Sequence, residues 1–317
     1  MARQSAKETA ASLLRRLWHR PVALARSGLA SMAGWLKERF PVLERSRVIS
    51  RRAAITDQPG LASMPVAAAA IADAAPQAAP AELPDGILVY AVGDVHGRAD
   101  LLQALFKRIE EDARESEATP HLIMLGDYVD RGFQSRQVID FLMSDQVSRF
   151  ETFFLKGNHE EALLRFLEQP EHGPEWANYG GRETLVSYGV RPPRSLTMND
   201  EWLSAHQQFQ EKFPESHLHF MRALDVSVRL GDYGFVHAGT RPGRAFDEQE
   251  EHDLLWIRDE FLKAGERDDV VVVHGHTPAD DAYSDFRRIN VDTGAYFSGR
   301  LTAVRLEKDQ ISFLKTR

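Results

Sequence analysis

The chain has 317 residues, no cysteine and a net charge of −8. Without cysteine there can be no disulfide, no thiolate metal ligand and no phosphocysteine intermediate, which excludes thiol-based phosphatases. No apolar run reaches the roughly 18 residues a membrane-spanning helix needs, so no span is expected.

The charge is unevenly distributed. Residues 1–53 carry 12 Lys/Arg against 3 Asp/Glu, leaving 27 against 44 for the remainder. So acidic a body lacks the lysines and arginines that displace counterions from a phosphate backbone, and no nucleic-acid partner is expected. In the basic segment, Leu13, Leu14 and Trp18 line up beside Arg15, Arg16 and Arg20 until Pro21 interrupts the helical pattern. The pattern reads either as an anchor for a membrane surface or a protein partner, or as a solvated basic extension. A secretory signal is not expected, so the predicted location is cytoplasmic, with peripheral membrane contact if the anchor reading holds. Residues 54–85 are rich in alanine and proline and read as a linker. They offer too little apolar area to offset the entropy of ordering them. The folded domain is expected over 86–317.

Within that domain one pattern recurs. The apolar, β-branched runs Ile87–Val92, His121–Leu125, Thr152–Leu155, Tyr233–Val236 and Val270–Val273 each end beside glycine and a polar residue. Helical periodicity separates the first three, as in Leu101, Leu102, Leu105, Phe106 and Ile109. Strands alternating with helices predict an α/β sheet with helices packed on it. Ligand sites in such sheets lie beyond the carboxyl ends of the strands, so the polar ends can converge. Collected, they are Asp94, His96, Asp127, Asn158, His237 and His276. Sulfur-free oxygen and nitrogen donors suit Mn²⁺, Fe or Zn²⁺ better than Ca²⁺. Six ligands are too many for one open catalytic site, and fit two cations about 3.5–4 Å apart that share a carboxylate. Such a pair lowers the pKa of bound water, so hydroxide is the expected nucleophile. Taken singly, Asp94 or Asp127 is explained as a helix N-cap, and His237 or His276 as a satisfied buried histidine.

Together the motifs are specific. Gly93-Asp94-Val95-His96-Gly97, Gly126-Asp127-Tyr128-Val129-Asp130-Arg131-Gly132 and Gly157-Asn158-His159-Glu160 resemble the three signatures of PPP-type serine/threonine protein phosphatases, members of the calcineurin-like metallophosphoesterases. His237-Ala238-Gly239 and Gly275-His276-Thr277-Pro278 resemble the later histidine motifs. The resemblance implies a four-layer αββα sandwich of two mixed sheets. It implies Asp94, His96 and Asp127 on one metal and Asp127, Asn158, His237 and His276 on the other, the two divalent ions being Mn²⁺, with Fe or Zn²⁺ as alternatives. It further implies His159 as general acid, Asp130 as its orienting carboxylate, and Arg131 and Arg258 as phosphate-binding residues.

Two departures bear on substrate. Pro278 stands where many phosphodiesterases have a second histidine, which favours the protein-phosphatase branch. Symmetrical diadenosine tetraphosphatases usually have glutamine at His96 and asparagine at Asp130, which counts against a dinucleotide. The expected function is therefore a protein serine/threonine phosphatase acting on a phosphorylated protein or small phosphoester. The alternative is a nucleotide or dinucleoside polyphosphate hydrolase, and a third reading is a noncatalytic scaffold. The stretch between His159 and His237 is expected to form helices at the site's edge. Ile289–Gly294 and Leu301–Leu306 are expected to form a hairpin over the second sheet. The family's C-terminal active-site tyrosine motif is absent as such, and the sequence leaves open whether Tyr296 replaces it. Trp202 and Trp256 read as packing residues, and His172, His206, His217 and His219 as solvated ones.

Overall fold

The computed structural model describes residues 81–316. The segment 1–53 and its anchor reading lie outside the described residues. Five of the predicted runs are strands within two residues of the expected bounds. β1 (Ile87–Val92), β2 (Thr119–Met124) and β3 (Glu151–Phe154) pair in parallel, Val89 lying opposite His121 and His121 opposite Glu151. β9 (Thr302–Glu307) adds antiparallel to β1, and β10 (Gln310–Lys315) antiparallel to β9. The second sheet runs β4 (Ser227–Leu230), β5 (Tyr233–Val236), β6 (Val271–His274), β8 (Arg288–Asn290), β7 (Tyr283–Ser284). Its three central strands are parallel and both its edges antiparallel. The two mixed sheets pack together with helices outside, as the sequence predicts, and β1, β5 and β6 are buried almost throughout because both faces of each are covered.

The crossover helix α1 (Ala99–Ala113) shows why the layers hold. Leu101, Leu102, Leu105, Phe106 and Ile109 fall on one face at i, i+3, i+4 spacing and all are buried. Truncating Leu105, which is 0% exposed, to alanine would cost about 2–5 kcal/mol in lost transfer energy and cavity formation. A second crossover, α2 (Ser135–Leu142), joins β2 to β3.

The expected C-terminal hairpin does not form. Residues 288–290 pair in parallel with β6 in the second sheet, whereas 302–307 join β1 in the first. Between them a short helix (Ala295–Ser298) is flanked by left-handed Gly294 and Gly299 and carries the chain across. The true hairpin is β9–β10, turning at Lys308 with φ 55°. Both stretches had strand composition, but they join different sheets rather than each other.

Between β3 and β4 lies a helical layer: α3 (Asn158–Glu168), α4 (Gly173–Asn178), α5 (Gly181–Ser187), α6 (Asp200–Lys212) and α7 (Glu215–Arg222). Asn199 caps α6 by accepting from the backbone N–H groups of Glu201 and Trp202. The layer packs around aromatics, Phe166 stacking on Trp176 at 4.8 Å and meeting Trp202 and Phe209 at 5.9 Å. Trp202 is buried as expected, but His217 is buried too rather than solvated. Its Nδ1 meets the Tyr188 hydroxyl at 2.8 Å and its Nε2 the Asp140 carboxylate at 3.0 Å, so both ring nitrogens are satisfied. Among the described residues no helix is long and apolar enough to cross a membrane.

Candidate active site

The polar strand ends do converge. Asp94, His96, Asp127, Asn158, His237 and His276 are all buried and form one connected web. Asp127 is at its centre. Its Oδ2 lies 3.5 Å from His96 Nε2, and its Oδ1 lies 3.4 Å from His237 Nε2. His96 Nε2 is also 3.9 Å from Asp94 Oδ2, and His237 Nε2 is 2.9 Å from Asn158 Oδ1 and 3.0 Å from His276 Nδ1. Asp94 is fixed from the second sheet by the His276 N–H, 3.1 Å from Oδ1.

The local backbone explains how such short loops aim so many side chains inward. His96, Asp127, Asp130, Arg131 and His276 all have φ between 46° and 71°, a left-handed conformation uncommon outside glycine. Strain of this kind is retained where surrounding structure over-determines it. Two glycines make room for it. A Cβ on Gly157 would overlap Asp127 Oδ1, and one on Gly275 would overlap Asp94 Oδ1. Glu160 then ties two loops together. Its buried carboxylate accepts from the backbone N–H groups of Asp127 (2.8 Å), Tyr128 (2.8 Å), Val129 (3.3 Å) and Gly157 (2.9 Å). Burial outweighs the lowering by these N–H donors and leaves this carboxyl raised to about 7.

The donor set fits cations. His96 Nδ1 is 2.9 Å from the Val129 carbonyl and His237 Nδ1 is 2.9 Å from the Leu125 carbonyl, so each ring places its proton there and turns the Nε2 lone pair inward. His237 Nε2 then faces the oxygens of Asn158 and Asp127, lone pair against lone pair. His96 Nε2 and His276 Nε2 are buried with no hydrogen-bond partner. Burial drives His237 down to about 3 and lowers His96 and His276, which leaves neutral imidazoles ready to coordinate. Burial pushes Asp94 and Asp127 up, reinforced by the charges of Asp292 and Asp127 on Asp94 and of Glu160 and Asp130 on Asp127, and opposed in both by Arg131. Two groups of potential ligands emerge, His96–Asp127–His159 and Asp127–His237–His276, with Asp127 in both.

Beside this cradle His159 Nδ1 contacts Asp130 Oδ2 at 2.7 Å. Asp130 also accepts from Trp176 Nε1 at 2.9 Å and from Thr184 Oγ1 at 2.7 Å. Burial pushes Asp130 up to about 7 and His159 down, so charging either one is conditional on its partner. Arg131 Nη2 donates to His159 Nε2 at 3.2 Å, and its guanidinium stacks 4.8 Å over the Tyr296 ring. Tyr296 also meets the His96 ring edge-on at 5.5 Å, so this aromatic does reach the site. Arg258 is exposed at the rim. Its Nη1 is 3.3 Å from the His276 carbonyl, and its charge helps lower His276 and His159.

Sequence reasoning missed four contributors: Glu160, Trp176 and Thr184 in the contacts above, and Asp292. The last is buried next to Asp94, is pushed up to about 6 by burial, and holds the Gly294 N–H at 2.9 Å. A signal for Asp292 existed, since Ile289–Gly294 is another apolar run ending in aspartate near glycine. Trp256, read from the sequence as a core or packing residue, is half-buried and donates to Glu161 Oε2 at 2.7 Å.

Two stacked mixed sheets with a buried histidine–carboxylate cradle at their strand ends define a metal-dependent phosphoesterase. The calcineurin-like phosphoesterase family profile matches residues 87–308, and the chain belongs to that family. Similar proteins include the bis(5'-nucleosyl)-tetraphosphatase PrpE [asymmetrical] of Anoxybacillus flavithermus, 27% identical over 68% of this chain and 88% of the relative. The protein of the same name from Halalkalibacterium halodurans is 28% identical over 71% of this chain and 93% of its own length. A crystal structure provisionally described as a diadenosine tetraphosphatase superposes with a TM-score of 0.50 at 19% identity, covering 72% of this chain and 93% of the other.

Proposed function

We propose that the protein is a metal-dependent hydrolase of dinucleoside polyphosphates, cutting a phosphoanhydride bond. The observation that carries this reading is the similarity to asymmetrical bis(5'-nucleosyl)-tetraphosphatases over nearly their whole length. It displaces the protein-phosphatase expectation for a physical reason. The motifs behind that expectation serve the cations, the transferred phosphoryl group and the leaving oxygen, which protein and nucleotide substrates have in common, and do not read the rest of the leaving group. Glutamine and asparagine at the positions of His96 and Asp130 mark symmetrical tetraphosphatases, so their absence does not count against an asymmetrical one.

Two divalent cations, Mn²⁺ or else Fe or Zn²⁺, would be held by Asp94, His96, Asp127, Asn158, His237 and His276, and would supply Lewis acidity and a nucleophile at neutral pH. The chain's own groups do the rest. Arg131 and Arg258 hold phosphate oxygens, the planar guanidinium of Arg131 being suited to two at once. When Arg131 turns to the substrate it releases His159 Nε2, which can then take up a proton from solvent and pass it to the leaving oxygen. Asp130 supports the protonated ring through Nδ1.

Steady-state kinetics with Mn²⁺ test the assignment. Diadenosine tetraphosphate should give a kcat/KM at least about tenfold above that of phosphoserine peptides, and chelation should abolish both activities. A preference for the phosphopeptide would return the protein-phosphatase reading, and turnover that survives chelation would reject both.

A further inference from the structure

Beyond His159 the helical layer opens into a cleft of about 260 Å³. It is below the roughly 300–1,000 Å³ of sites that enclose whole drug-sized ligands, and it suits a single ring system. Its walls are aromatic. The rings of Tyr179 and Trp256 stand 6.0 Å apart at 61°, and His252 lies nearly parallel to the Trp256 indole at 6.4 Å. The bond from Trp256 Nε1 to Glu161 fixes the indole, so its face is presented without further ordering. All three rings remain accessible at least in part.

The cleft joins the site through Tyr179 and through Trp176, which lines the cleft and donates to Asp130. Tyr179 meets the His159 ring edge-on at 6.0 Å, and the carbonyl of the next residue, Gly180, accepts the Arg131 N–H at 3.1 Å. A group leaving over His159 therefore arrives at Tyr179. Charge is divided along the same path. Arg131 and Arg258 stand at the phosphate end, whereas the cleft sets Glu161 and Glu175 against Arg165. It is poorly suited to more phosphate, and its carboxylates can accept from ribose hydroxyls or an exocyclic amine.

We propose that this cleft is the base-binding subsite for the leaving nucleotide, with Trp256, Tyr179 and His252 as its stacking surfaces. The proposal rests on the dinucleoside polyphosphate reading for its ligand class. Stacking of a base on an aromatic side chain is tolerant of base identity, so the site would select a nucleotide over a bare phosphate more strongly than one base over another.

The test is equilibrium binding to the Mn²⁺-loaded full chain, with AMP and inorganic phosphate as probes and calorimetry as the readout. AMP should bind about tenfold or more tightly than phosphate. That ratio should fall about 5- to 100-fold in Trp256→Ala and be largely restored in Trp256→Phe. His252→Ala, at an exposed position, provides a variant with little risk to folding and should lower the ratio about threefold or more. Wild-type AMP binding no tighter than phosphate, or a ratio unmoved by both alanine variants, would overturn the subsite. Turnover separates the two claims. Selective AMP binding through Trp256, combined with a catalytic preference for phosphopeptides, would support the cleft while sinking the proposed function.

Discussion

The cradle and the helical layer are built in opposite ways. The cradle is a set of strand-end loops whose side chains are aimed by strained backbone, with left-handed residues at five site positions. The layer beyond α3, residues 173–222, is ordinary helix packed on aromatics, and it touches the chemistry through hydrogen bonds, Trp176 and Thr184 donating to Asp130 and the Gly180 carbonyl accepting from the Arg131 N–H. The contrast teaches that holding cations needs backbone geometry, whereas tuning a proton donor needs only a well-placed partner on a rigid helix. Exchange of a cradle residue should therefore destroy the centre, and exchange of a layer residue should adjust it.

Asp127→Asn should have the largest effect. It removes charge from the one carboxylate that faces both His96 and His237. Activity should fall about 10³-fold or more, and metal content should drop from about two ions per chain to one or fewer. An Asp127→Asn protein that kept both ions would remove Asp127 from the centre of the cradle. His159→Asn comes next, at about 10²–10⁴-fold in kcat on an alkyl phosphate ester with metal content unchanged. Because a phosphate leaving group needs less protonation than an alkoxide, the loss on diadenosine tetraphosphate should be smaller. Equal losses on both substrates would argue against proton donation by His159.

Trp176→Phe sharpens the comparison from the layer side. The indole N–H is one of the donors that lower Asp130, which burial has raised to about 7. Without it Asp130 rises further, so the charged carboxylate is lost at higher pH as the solution is acidified. The acid limb of the kcat profile should move up in pH, with a loss of about 5- to 50-fold on the acid side and less above it. A uniform drop at all pH values would mean that Trp176 contributes packing alone. The smallest catalytic effect belongs to His217→Ala. It strands the buried Tyr188 hydroxyl and should cost about 1–3 kcal/mol of stability, read by urea unfolding, with kcat/KM unchanged.

The same division decides what the sequence revealed. The strands Ile87–Val92 and Tyr233–Val236 were visible because a continuous β-branched run is what a doubly covered strand requires. The six cradle donors were visible because each follows such a run at a glycine. Glu160 sat in view within a motif, yet its bonds to Asp127, Tyr128 and Val129 span more than thirty residues of chain and leave no local trace. Trp176 and Thr184 lie on helices where an aromatic or a threonine is equally explained by packing. The 289–294 and 301–306 stretches misled because strand composition does not say which sheet a strand joins.

Glu160 has a practical consequence for rebuilding this protein. One carboxylate saturates the amide hydrogens of residues 127–129 and 157, so the second and third signature loops behave as one mechanical part. A chimera that took Gly126–Gly132 from a relative and kept its own residue 160 would work only if that residue were again an acceptor of the same reach. Splice points for transplanting this catalytic apparatus therefore belong outside 126–160, at the start of β2 and the far end of α3.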